Sequence, residues 1–116
     1  MSAGSLGAQA EQRAAQYLQQ QGLKPVAQNY RGRFGEIDLI MQDGATLVFV
    51  EVRLRRSANF GGAAASIDTR KQRRIVRTAQ QYLAGLAHIP PCRFDAVLMD
   101  DAQGANVQWL KNAFEA

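Results

Sequence analysis

Only one cysteine and one histidine occur in the sequence, Cys92 and His88. A lone thiol excludes an intramolecular disulfide, and the two side chains lack the spaced partners that a Cys/His zinc site requires. No apolar run approaches the ~20 residues of a membrane-spanning helix, and the opening MSAGSLGAQAEQ has no charged segment leading into an apolar stretch. The expectation is a cytoplasmic protein without a membrane partner. Repeats and low-complexity tracts are missing as well. Gly61 and Gly62 are not followed by the Gly-Lys-Ser/Thr of a phosphate-binding P-loop, which argues against nucleoside triphosphate binding.

Hydrophobic residues make up 47% of the 116, enough for one domain over residues 1–116 with a modest core. Acids are outnumbered, 10 against 14 Lys and Arg, for a net charge of +4. The excess is local. From Arg53 to Arg77 there are eight basic residues (Arg53, Arg55, Arg56, Arg70, Lys71, Arg73, Arg74 and Arg77) and one acid, Asp68. That concentration is the footprint of a polyanion-binding surface and makes nucleic acid the expected partner.

The stretch from Gly35 to Arg56 reads as a hairpin: GEIDLI, a turn QDGAT, then LVFVEVRLRR. Glu36, Asp38 and Glu51 interrupt its apolar runs, and acids are depleted in strands and costly to bury unpaired. Alternation places Leu47, Phe49, Glu51, Arg53 and Arg55 on one face of the second strand, and separates Glu36, Asp38 and Ile40 from Ile37, Leu39 and Met41 on the first. A two-residue turn at Asp43-Gly44 pairs Gln42 with Ala45. Asp38 then lies opposite Phe49 and diagonal to Glu51, with Cα atoms roughly 7–8 Å apart. Two carboxylates so placed either share a hard cation such as Mg²⁺ or Mn²⁺, or are neutralised by arginines such as Arg53. A slip of one residue would separate them onto opposite faces.

Two helices flank these strands in sequence. Residues 4–21 carry Leu6, Ala10, Ala14, Tyr17 and Leu18 at helical spacing with Gly22 as the stop, and Glu11 at the edge of the apolar face, where it is either solvated or leans toward Asp38. Residues 68–86 place Arg70, Arg73, Arg74 and Arg77 within an arc of about 100°, opposite Ile75, Val76, Ala79, Tyr82, Leu83 and Leu86. No acid at i−4 offsets those charges, so the face gains from a partner carrying phosphates. Residues 23–30 read as a short strand, and Arg31 and Arg33 bracket Gly32 in the loop that follows. Residues 57–66 read as a flexible connector. Residues 92–99 (CRFDAVLM) read as a strand whose Asp95 pairs with Arg93, closes a loop near a helix end, or joins the acids. Residues 100–105 form a turn, 106–110 are a candidate last strand, and Trp109, Ala113 and Phe114 look like an apolar lid.

GEIDLI, VFVEVRLRR, the Phe60–Gly62 FGG, the Arg70-Lys71-Gln72-Arg73 helix start, the RFD of Arg93–Asp95 and the closing Trp109 with Asn112-Ala113-Phe114 resemble the YraN family of small bacterial endonuclease-like proteins. That family is similar to archaeal Holliday-junction resolvases and to the restriction-endonuclease-like PD-(D/E)xK superfamily. The resemblance implies an α/β fold, a mixed sheet flanked by helices in the order α-β-β-β-α-β. It also implies a Mg²⁺- or Mn²⁺-dependent nuclease acting on DNA, branched DNA included, with a homodimer possible. Asp38 and Glu51 match the metal-binding acids and Glu11 the glutamate of the first helix. Arg53 stands where the superfamily has lysine. An arginine does not act as a base, because its pKa exceeds about 12, but it orients water and stabilises charge on phosphate. Lys71 is the candidate replacement, with Arg70, Arg73, Arg74, Arg77, Arg55 and Arg56 as nucleic-acid contacts. The other reading is a nucleic-acid-binding module whose acids are structural.

Overall fold

Ser5 and Asp68 each start a helix by the same device. The Ser5 hydroxyl accepts the Ala8 N–H at 3.1 Å and the Asp68 carboxylate accepts the Lys71 N–H at 2.8 Å, satisfying donors that the first turn leaves unpaired. In the computed structural model, which describes residues 5–54, 67–100 and 106–116, these helices are α1 (Leu6–Gln20) and α2 (Thr69–Ala84). The strands are β1 (Lys24–Arg31), β2 (Glu36–Asp43), β3 (Thr46–Leu54), β4 (Cys92–Met99) and β5 (Val107–Phe114). They form one sheet in the order β1-β2-β3-β4-β5. All neighbours are antiparallel except β3 and β4, which run parallel. Among the described residues no helix is long and apolar enough to cross a membrane.

The two helices cover opposite faces. Ala10, Ala14, Ala15 and Leu18 of α1 pack with Leu39, Met41, Val48, Val50, Val97 and Met99. Ile75 and Ala79 of α2 pack with Ile40, Leu47, Phe49, Phe94 and Ala96. Burying both faces of the three central strands explains their near-continuous apolar sequences. The mixed sheet with its flanking helices is compatible with the restriction-endonuclease-like fold.

The structure corrects several expectations. The hairpin turn is Gly44-Ala45, with Asp43 paired to Thr46. Gly44 has φ 61°, and Ala45 is not left-handed, the sign pattern of a type II′ turn with glycine first; an Asp43-Gly44 turn of either primed type would have needed a left-handed Asp43. The register thus moves by two, which preserves the facing of the paired residues from Leu39 to Asp43. β1 pairs with β2 from Lys24 to Arg31, and β5 extends to Phe114, adding a full strand to the expected order. Trp109, Ala113 and Phe114 therefore belong to a strand rather than to a lid. α1 and α2 are shorter than expected, and Leu6 and Leu86 are exposed instead of joining the apolar faces. The connector and turn expected at 57–66 and 100–105 lie, apart from Asp100, outside the described residues.

Asp95 is structural. Its carboxylate is fully buried, and both oxygens accept from Arg93 Nε at 3.1 Å. It also takes the Trp109 Nε1–H at 3.0 Å and the Asn112 N–H at 3.1 Å, at the shift in register between β4 and β5. Arg93 in turn reaches Asp43 at 2.9 Å, tying the hairpin tip to β4. Asp95→Ala would leave Arg93 with Asp43 alone and strand the Trp109 and Asn112 N–H donors, and is expected to cost about 3–5 kcal/mol by urea denaturation. Asp95→Asn, which retains an acceptor, loses less. Equal loss in the two variants would contradict this role.

Candidate active site

The alternation of β2 breaks at Asp38. Ile37 and Ile40 both pack on the α2 side, whereas Leu39 and Met41 pack on the α1 side. The paired strand breaks in step. Ala27, opposite Ile40, and Tyr30, opposite Ile37, both face α2, and between them Asn29 adopts φ 52°. A left-handed residue in a strand twists it sharply, and asparagine tolerates that region better than most. At the same level the β2–β3 ladder ends at Leu39 opposite Val50, while β3 stays paired to β4 as far as Leu54. The strands part there, and Asp38 Oδ2 accepts the Val52 N–H at 2.8 Å in place of a backbone carbonyl.

Three carboxylates meet across this gap. Glu51 is only 4% exposed and lies on the Phe49 side of β3, toward α2. Glu11 comes from α1, on the other side of the sheet, and the Asp38 charge acts on both glutamates. Burial first, and then the Asp38 charge, push Glu51 up to about 7, opposed by Lys71. Burial and Asp38 likewise push Glu11 up to about 7, opposed by a hydrogen bond from Asn29. Lys71 Nζ lies 3.3 Å from Glu51 Oε2, and Arg53 reaches the same oxygen at 3.9 Å. The diagonal pairing expected from sequence does not form, because the ladder ends at Leu39 opposite Val50; Asp38 reaches β3 through the Val52 N–H, next to Glu51.

Gly35, Glu36 and Asp38 line a cavity of about 120 Å³ with Lys71, Arg74 and Ile75 of α2, room for several water molecules. Among the described residues no group of three Asp, Glu, His or Cys side chains is arranged to hold a metal ion. The chemistry of the donors nonetheless suits a hard cation, because Asp38 and Glu51 offer oxygens whose mutual repulsion a cation would relieve. The site therefore brings together Glu11, Asp38, Glu51, Arg53, Lys71 and Arg74. Arg70, Arg73 and Arg77 are exposed on α2, and Arg55 and Arg56 lie outside the described residues. Sequence reasoning missed Asn29 and the Val52 N–H; an asparagine inside a strand run was the one available signal.

Comparison with known proteins gives a consistent result. The model of a family described as Uncharacterised protein family UPF0102 matches residues 10–99. A UPF0102 protein of Nitrosomonas europaea is 57% identical, over 98% of this chain and 97% of its own. One from Cupriavidus taiwanensis is 57% identical over 95% of this chain and 82% of its own, and one from Methylobacillus flagellatus 50% identical over 96% and 97%.

The raised acids make stability depend on pH. A carboxyl that titrates near 7 when folded and near 4.5 when unfolded keeps its proton in the folded state across that window. Its contribution is complete below about 4.5 and is lost as the pH rises through 7. In EDTA, the denaturation midpoint should fall between pH 5 and pH 8, and Glu51→Gln should flatten that fall. A slope unchanged in Glu51→Gln would show that the decline arises elsewhere.

Proposed function

The chain belongs to the UPF0102, or YraN, family, and on that footing we propose that it is a divalent-metal-dependent nuclease acting on DNA. The observation that carries the reading is the meeting of Asp38 with the buried Glu51 where β2 and β3 part, under a helix whose outer face is basic. Asp38 and Glu51, with the Val52 carbonyl, would hold Mg²⁺ or Mn²⁺, which when bound supplies Lewis-acid polarisation of a phosphoryl oxygen.

The chain's own groups do the rest. Glu11, steadied by Asn29, orients the attacking water. Lys71 takes the place that lysine holds in the superfamily, arriving from α2 instead of β3, since its Nζ lies nearer Glu51 than the Arg53 guanidinium does. Arg53 stabilises negative charge on the phosphate as the bond breaks. Arg70, Arg73, Arg74 and Arg77 hold flanking phosphates, which DNA and RNA share. The choice of DNA, branched DNA included, rests on the likeness of the family to the resolvases, which also allows a homodimer.

One observation favours the second reading, a binding module without cleavage. Lys71 and Arg53 both approach Glu51, so the buried charge already has cationic neighbours. A cleavage panel of labelled linear, branched and single-stranded DNA, with RNA counterparts, separates the two. The nuclease reading expects cutting with Mg²⁺ or Mn²⁺ but not EDTA, and loss of roughly 10²-fold or more in Asp38→Ala and Glu51→Ala. Binding without cutting, with affinity unchanged or tighter in Asp38→Ala, would establish the module.

A further inference from the structure

An aromatic ring stands in solvent beside the acidic gap. Phe34, 43% exposed, immediately precedes Gly35 and Glu36, which line the cavity with Asp38. A single exposed hydrophobe is ordinary on a protein surface. This one differs in how it is held and in what surrounds it.

The connection that carries Phe34 is fastened to α2. Gly32 N–H donates to the Gly35 carbonyl at 2.8 Å, and Arg33 N–H donates to Gln81 Oε1 at 2.8 Å. A Cβ on Gly32 would lie 2.6 Å from that same Gln81 oxygen and 3.2 Å from Thr78 Cγ2, so a side chain there would displace the Gln81 amide that holds Arg33. The ring's surroundings are cationic. The Arg77 guanidinium lies over one face of the ring, 5.5 Å from its centroid, Arg33 is exposed beside it, Arg31 is exposed and lies 3.7 Å from Glu36, and Arg74 lines the cavity. A rigid aromatic amid phosphate-binding charges matches what single-stranded nucleic acid requires: a π-face for a base and cations for the backbone on each side of it.

We propose that Phe34 is a platform on which an unpaired base stacks, so that the nucleic acid taken up is single-stranded at the acidic gap, either as a free strand or as a single-stranded segment of a branched molecule. The inference deepens the nucleic-acid reading above and rests on it. In a duplex each base is covered by its neighbours, and the ring has no free π-face to meet. In an unpaired segment the ring holds one base, Arg31, Arg33 and Arg77 hold adjacent phosphates, and the strand runs on toward Asp38.

Binding measured in EDTA tests this apart from cleavage. Fluorescein-labelled oligonucleotides, one single-stranded and one a fully paired duplex of the same sequence, are titrated with the wild type and variants. Phe34→Ala should weaken single-strand binding roughly 5- to 100-fold, leave duplex binding unchanged, and leave the slope of log K against log salt in place, because a stacked ring releases no counterions. Phe34→Trp should restore the affinity. Arg70→Ala with Arg73→Ala should weaken binding to both substrates and lower the slope by about 1–2 units. All three positions are exposed, so the fold survives the changes. If the arginine variant loses affinity while Phe34→Ala binds single strands like the wild type, or loses duplex binding equally, stacking is overturned and the nucleic-acid reading stands. A wild type that binds neither substrate overturns both.

Discussion

The site depends on the hydrogen bond from Val52 N–H to Asp38. It lets β2 leave β3 without orphaning a buried donor, and it fixes one Asp38 oxygen where its charge acts on Glu51 and Glu11 at once. Without the parting of the strands, backbone ladder would fill the gap and Glu11 on α1 would face a closed sheet. The left-handed Asn29 on β1, and the matching twist at Ile37 and Ile40, place the opening at an acid that acts on Glu51 and on Glu11 of α1.

Charge governs what the gap can do. Acids this close hold protons, gain cationic side chains or gain a metal; Glu51 has gained two cationic neighbours, and burial and the Asp38 charge raise its pKa. Lys71 and Arg53 approach Glu51 from different elements, yet burial and Asp38 still keep its acidity low. By contrast, Asp95 collects Arg93, Trp109 and the Asn112 N–H around a single carboxylate. Comparison of the two buried acids separates a saturated structural anion from an under-compensated one, and the latter sits beside the cavity and the basic helix.

Much of this was legible in the residues. The strand 92–99 falls where its apolar run ends, and the acids of the hairpin share a site although the turn lies one residue later than the Asp-Gly signal suggested. The prediction survived because moving a two-residue turn by one position shifts the pairing by two, and the side-chain period is also two. β1 and β5 were harder to see, since edge strands with one solvated side need no long apolar run. The break at Asp38 was not legible at all. Strict alternation put Ile37 with Leu39, and the exception is matched on the neighbouring strand by the left-handed Asn29. Lys71 was placed off the arginine arc by helical spacing, but its contact with Glu51 follows from the docking of α2 on the sheet.

The central claim is that Asp38 and Glu51 form a cation site and not a salt bridge closed by Lys71, and calorimetric titration of the metal-free protein with Mn²⁺ or Mg²⁺ tests it most directly. At pH 7 the account predicts binding at millimolar metal or below, accompanied by proton release because acids titrating near 7 must ionise to take a cation. Asp38→Asn and Glu51→Gln should each abolish that binding in folded protein. An absence of binding at millimolar metal, or binding that persists in both variants, would contradict the account.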